Sequence, residues 1–263
     1  MAARGCGRAG GGVAGVRVVS LCPSLTELVF DLGRGDWLVG RTKFCVHPAG
    51  QVAAVEVVGG TKNPKVARIL ELAPDLVLLN EEENRREDAD ALRAADVACH
   101  VSFPKNAEDT AAMVRSIGAA LDADAAAERI AGGIEARAAA VRADVASLPP
   151  VRYACLVWRR PYMGVSDDTY IAGLLALAGG RNVFGTAAAR YPEVGDGEIA
   201  SASPDVVLLT TEPFPFAPKH VEELAAETGI ARERFRIVDG ERLSWHGSRT
   251  AAGIDYAARV LRD

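Results

Sequence analysis

The sequence predicts an α/β protein made of two similar lobes, each built on a parallel sheet, with a long α-helix joining them. Three observations predict it. Short β-branched runs alternate with helical patterns, the arrangement that builds parallel sheets. The segment from Ile69 to Leu79 (ILELAPDLVLL) returns as Ile199 to Leu209 (IASASPDVVLL), so the second half repeats the first in outline. Between the copies lies an Ala-rich stretch in which Ile130, Ile134, Val141, Val145 and Leu148 recur at helical spacing.

The elements follow in order. Residues 1–15 hold six glycines and two arginines and read as a flexible arm. Val16 to Leu21 is a buried strand opening the first lobe, 16–104. Ser24 is placed to cap a helix through Asp31, with Glu27 completing a capping box. An amphipathic stretch from Val66 to Leu72, a strand from Asp75 to Leu79, a helix from Asp88 to Ala95 and a strand from Ala98 to Val101 continue the alternation. Pro74 and Pro204 each end a helix two residues before an apolar strand, because proline lacks the donor that a continuing helix needs. Upstream, Leu32–Gly40 has a looser counterpart in Leu177–Gly185. Residues 105–148 form the connecting region, with Asn106 capping one helix that ends near Leu121. A second runs from Asp122 or Asp124 to about Ser147 and is roughly 34 Å long. Gly132-Gly133 inside it calls for a packing reason or a local bend. A continuous helix of this kind resists hinge closure. Residues 149–263 form the second lobe.

Composition excludes several classes. With 49% hydrophobic and 25% charged residues, the chain can bury a core and is not a disordered tail. The formal net charge of −5 shows no concentrated basic face, so no nucleic-acid partner is expected. Five scattered cysteines without a Cys-x-x-Cys pair indicate neither a disulfide scaffold nor a zinc ribbon. No apolar run reaches the roughly 20 residues of a membrane-spanning helix, and the start lacks the apolar core of an export signal. As written, the chain is expected in the cytoplasm; with a start further upstream, it is expected in the periplasm or outside the cell. Enzyme signatures are missing: the first strand is followed by Cys-Pro-Ser rather than a glycine-rich turn, and no P-loop, Gly-x-Ser-x-Gly or His-Glu-x-x-His is present.

The motifs Val18-Val-Ser-Leu-Cys-Pro-Ser-Leu-Thr-Glu27, Leu38-Val-Gly-Arg-Thr-Lys-Phe-Cys-Val-His-Pro48, Val58-Gly-Gly-Thr-Lys-Asn-Pro64 and Leu72-Ala-Pro-Asp-Leu-Val-Leu78 resemble the helical-backbone metal-receptor family, the class III periplasmic-binding-protein-like group. The resemblance covers roughly residues 16 to 263. It is nearest to the cobalamin-binding branch, in which Cys-x-x-Pro follows Val-Gly-Arg-Thr as Cys45 and Pro48 do here. It implies Rossmann-like lobes with the ligand in a cleft between them. It also implies a substrate-binding protein of ABC-transporter type that binds cobalamin or another corrinoid first, a ferric siderophore second and haem third. The implied partners are this small-molecule metal chelate and an ABC permease and ATPase; no resident cofactor is required, and a monomer is expected. A cytosolic enzyme or metallochaperone using the same cleft is the alternative.

Open α/β sheets independently direct ligands to the carboxyl ends of their strands. The ligand-binding candidates there are Ser24, Arg41, Lys43, Lys62 and Asn63 in the first lobe. The second lobe adds Trp158, Arg159, Arg160, Tyr162, Tyr191, Phe214, Trp245 and Arg249. Flat rings can cover a planar ligand, and cationic donors can grip its polar rim, unless they are engaged in salt bridges of their own. Cys45 and His47 on one loop and His246 in the other lobe are candidate metal ligands, the alternative for Cys45 being a small buried hydrophobe in a turn. His220 after Pro218 is expected as an exposed cap, and the acidic run Glu81–Asp88 as a solvated helix start.

Overall fold

A computed structural model describes residues 15–263. Residues 1–14 of the expected arm, with Cys6, lie outside the described residues. The chain divides after Val101 into two compact units.

The first unit contains β1 (Val18–Ser20), α1 (Pro23–Asp31), β2 (Leu38–Arg41), α2 (Val66–Glu71), β3 (Leu76–Asn80), α3 (Arg86–Ala94) and β4 (Ala98–Ser102), the last ending at the division. Its sheet has the order β2-β1-β3-β4, and β1 pairs in parallel with both neighbours. All five residues of β3 are buried, as expected for a parallel strand covered on both faces. Val19, Leu21, Val58, Ile69, Val77, Leu79, Ala89 and Leu92 form the core on one face.

The second unit opens with α4 (Ala107–Ala120) and α5 (Asp124–Val145) and continues through β5 (Val151–Trp158), β6 (Met163–Gly164), α6 (Tyr170–Leu177) and β7 (Gly180–Asn182). It ends with α7 (Asp196–Ala202), β8 (Val206–Thr210), α8 (Pro218–Thr228), β9 (Phe235–Val238), α9 (Gly240–Ser244) and α10 (Thr250–Arg262). In its sheet β5 pairs in parallel with β8 and β7, and β8 pairs in parallel with β9. Only the two-residue β6 runs antiparallel, against the carboxyl end of β5.

The repeat seen in the sequence is a repeat of structure. Strands β2, β1, β3 and β4 take the same order as β7, β5, β8 and β9. One reciprocal clamp fixes β1 to β3 in the first unit and β5 to β8 in the second. Arg17 N donates to Asp75 Oδ2 at 2.7 Å while Asp75 N donates to Arg17 O at 2.8 Å. Arg152 N and Asp205 repeat this at 2.8 Å in both directions. The arginine side chains then reach the orphan carbonyls of the preceding helix end, Leu72 O from Arg17 and Ala202 O from Arg152. Ala73 and Ser203, the residues before the two prolines, both adopt positive φ, 43° and 46°.

Three expectations change. The helical region 105–148 is part of the second compact unit, because α5 buries Ala127, Ala131, Ile134, Ala138 and Val141 and packs on α4 and α10. Arg115 on α4 adds pairs to Glu128 and Glu135 of α5 at 2.7 and 2.6 Å. Ser24 does not cap α1: Pro23 takes the first helical position, which makes Cys22 the N-cap, without a side-chain cap hydrogen bond of its own. Gly132 and Gly133 have no packing role, since a Cβ on Gly133 would meet nothing within 4 Å. The glycine that the packing requires is Gly118 on α4, where a Cβ would approach Ala127 Cβ to 2.2 Å. Asn106 caps α4 as expected, its side chain accepting from Asp109 N at 2.7 Å.

Gly118→Ala is expected to lower the urea midpoint, because overpacking of about 1–3 kcal/mol outweighs the gain in helix propensity. Gly133→Ala, with open space around it, is expected to raise stability by roughly 1 kcal/mol.

Candidate functional site

In the first unit the turns after β1, β2 and β3 are tied together by one side chain. Asn84 Nδ2 donates to Leu21 O at 2.9 Å and to Thr61 O at 3.0 Å, while its Oδ1 accepts from Asn80 N at 2.9 Å. Both asparagines are buried, and Asn80 Oδ1 in turn accepts from Glu82 N at 2.9 Å. The run Glu81–Asp88 is therefore not a wholly solvated helix start: Asp88 is buried and takes a two-point contact from Arg85, both distances 2.9 Å.

Arg41 splints the loop that follows β2. Its Nε donates to Val52 O (2.8 Å) and Val55 O (3.2 Å), and its Nη1 to Thr42 O (3.2 Å) and Cys45 O (3.1 Å). Lys43 lies over the ring of Phe44 at 4.9 Å, and that ring is 50% exposed. Lys62 Nζ donates to Glu82 O at 2.5 Å, beside the exposed Asn63. Ser24 is buried, with its Oγ 3.4 Å from Cys22 Sγ.

In the second unit two clusters stand at the carboxyl ends of β5, β8 and β9. The first is aromatic. Trp158, the last residue of β5, meets Phe214 edge-on at 5.9 Å, and Phe214 continues to Phe216 at 4.8 Å. His220 packs against both phenylalanines and is buried, which corrects its expected exposure. Its Nδ1 still performs the capping role by accepting from Ala217 N at 2.9 Å. Arg159 pairs with Glu223, and Tyr162 donates its hydroxyl to Glu227 at 2.9 Å. Arg160 stays exposed at positive φ, 64°. Tyr191 is half-buried on the segment whose Glu193 bridges to Met163 of β6.

The second cluster centres on Trp245, which is buried and donates Nε1–H to Glu212 Oε2 at 3.1 Å. Arg249 covers its ring at 4.6 Å and pairs with Glu241 at 2.7 Å. Burial raises the Glu212 carboxyl above its usual range, the Trp245 donor works against this, and Glu241 and Asp239 add to the rise. Asn84 and Glu212 are not among the candidates that the sequence singles out. Their bonds span 63 and 33 residues, so no local spacing could reveal them.

The metal candidates separate. Cys45 is fully buried, with Thr26 Oγ1 at 3.0 Å and Thr42 Oγ1 at 3.1 Å from its sulfur, and burial pushes its thiol pKa up. This placement fits the alternative expected for Cys45, a small buried residue pinning a turn. His47 on the same loop is half-buried. Among the described residues, no three His, Cys, Asp or Glu side chains are gathered as for a metal ion. His246 is buried, meets Tyr170 edge-on at 5.9 Å, and is held neutral by burial, which pushes its pKa down to about 4. Tyr170 is locked by a 2.8 Å hydrogen bond with Thr250.

The comparisons with known proteins agree with this architecture. Residues 18–232 match the family described as periplasmic binding protein. The chain belongs to that family. Among curated relatives, a vitamin B12-binding protein of Vibrio parahaemolyticus serotype O3:K6 is 26% identical over 194 residues, 74% of this chain and 70% of the relative. One from Photorhabdus laumondii is 25% identical over 197 residues, covering 75% and 71%. Among solved structures, the periplasmic vitamin B12 binding protein BtuF of Vibrio cholerae superposes with a TM-score of 0.83 at 21% identity, covering 94% of this chain and 97% of the other. The apo periplasmic heme-binding protein RhuT from Roseiflexus sp. RS-1 gives 0.80 at 24% identity, covering 95% and 100%. This member of the periplasmic binding protein family thus shares its fold with proteins named for two different tetrapyrrole-type ligands. Among its described residues no helix is long and apolar enough to cross a membrane.

His246 supplies a test by pH. Its folded pKa lies below the ordinary value of 6.5, so its contribution to stability is complete above that value and is lost as pH falls toward about 4. The loss is on the order of 3 kcal/mol. His246→Gln should flatten the fall in melting temperature over this window, measured by thermal unfolding at stepped pH.

Proposed function

We propose that the protein is a substrate-binding component of an ABC transporter that takes cobalamin or another corrinoid on the loops at the carboxyl ends of its strands. The observation that carries this reading is the exposed aromatic surface there. Trp158 is 41% exposed at the end of β5, while Arg159 and Arg249 on these loops pair with Glu223 and Glu241. Exposed rings backed by matched cations suit a large ligand with apolar faces and a rim of neutral amides better than a highly charged chelate. Family membership and the names of the curated relatives support the same choice over a cytosolic enzyme or metallochaperone.

In this reading Trp158 and Phe214 form the apolar wall, Tyr162, Tyr191, Lys43 and Arg160 reach the rim, and Arg41, Arg159, Arg249 and Asn84 hold the loops in place. Trp245 and His246 back the wall without coordinating metal. The protein then works outside the cytoplasm beside a permease and ATPase, the second of the two locations expected from the sequence.

Cobalamin titrated into the full chain, followed by calorimetry and by its visible spectrum, is expected to bind. Trp158→Ala should weaken binding at least tenfold, about 1.4 kcal/mol or more, with an unchanged melting temperature. Trp245→Ala should instead lower the melting temperature, because it empties a buried volume and leaves Glu212 without its donor. Binding of hemin in place of cobalamin would move the assignment to haem, and binding of neither would end it.

A further inference from the structure

The first unit contains a cavity of about 460 Å³ lined by Leu79, Asn80, Glu81, Asn84, Arg85, Arg86, Ala89, Arg93 and Val101. Its volume is many times that of a water molecule, which occupies roughly 30 Å³ in the liquid. It lies between α3 and the ends of β3 and β4. Apart from the loop Asn80–Asn84, none of its wall belongs to the loops considered above.

The chemistry of this wall is uneven. The half-buried Val101 makes one part apolar, backed by the buried core residues Leu79 and Ala89. Arg85 is matched by Asp88 through two contacts of 2.9 Å. Arg86 and Arg93 have only one carboxylate between them: Arg86 Nε is 3.7 Å from Asp90 Oδ2, and Arg93 Nη1 is 3.3 Å from Asp90 Oδ1. Neither contact has the two-point geometry in which guanidinium binds carboxylate best. Each guanidinium carries five donors, and these two leave most of theirs to solvent. The residues are seven positions apart on one helix, about 10 Å along its axis, with Ala89 between them on the same side. Glu81, the one carboxylate of the wall, stands at the β3 end and repels an anion there, which leaves the α3 side for negative groups.

From this arrangement we propose a second binding site, for an elongated organic dianion that is apolar in the middle and anionic at both ends. Its carboxylates pair with Arg86 and Arg93 while its hydrocarbon body lies against the half-buried Val101 and the stretch of α3 between the two arginines. The site does not rest on the corrinoid reading, and its ligand is distinguished from a free phosphate by that apolar body.

The test uses the full chain, with suberate as the probe and succinate and inorganic phosphate as shorter or purely ionic comparisons. Calorimetry is expected to show suberate binding more tightly than either, with affinity falling at least tenfold in R86Q and further in R86Q/R93Q. Cobalamin titration of the same variants is expected to match that of the unmodified chain, which separates failure of this site from failure of the transport reading. Arg86 is highly exposed, so R86Q is expected to fold, and circular dichroism checks this. No suberate binding at millimolar concentration, equal binding of all three anions, or suberate binding that survives in R86Q/R93Q would each overturn the proposal.

Discussion

The reciprocal clamp between arginine and aspartate at the start of each sheet is the constraint on which the remaining geometry depends. Asp75 takes the amide of Arg17 and returns its own, and Asp205 does the same with Arg152. A slip between neighbouring parallel strands would break both bonds at once and leave their polar groups unmatched. With the amino ends registered, β1 and β3 deliver their carboxyl ends at fixed heights, as do β5 and β8. The turns proposed to carry the corrinoid begin at those ends.

The turns use different means to stay in place. The first unit relies on uncharged or internally satisfied polar groups, Asn84 joining three segments and Arg41 holding four carbonyls. The second unit relies on rings and ion pairs, Trp245 between Glu212 and Arg249, and His220 between two phenylalanines. Both arrangements hold a wall before ligand arrives, which reduces the ordering cost of binding.

Much of the fold was legible because its signals are local. Pro74 and Pro204 mark helix ends, Asn106 marks a helix start, and the twin Pro-Asp segments reveal the repeated topology. Pro23 at the first helical position was also legible, and reading it as such would have placed the cap at Cys22 rather than Ser24. The site was legible as loops but not as roles. Arg159 finds Glu223 and Tyr162 finds Glu227 across 64 and 65 residues, so these candidates also tie α8 to the end of β5, which no local spacing announces. Burial, too, is a property of the assembled core: His220 looks like a surface group from its neighbours in sequence and is sealed by Phe214 and Phe216.

The internal pairing of Arg159 and Arg249 has a consequence for the surroundings in which the protein can operate. Dissolved ions weaken attractions between exposed charges over distances near 10 Å at 0.1 M, but they hardly affect contacts between rings and an apolar face. In the proposed corrinoid reading, a ligand resting on Trp158 beside the matched Arg159 and Arg249 keeps its affinity across dilute and saline media alike. Arg86 and Arg93, with one carboxylate shared between them, respond to ionic strength in the opposite way. The two proposed sites therefore differ in kind, the aromatic one indifferent to salt and the charged recess governed by it.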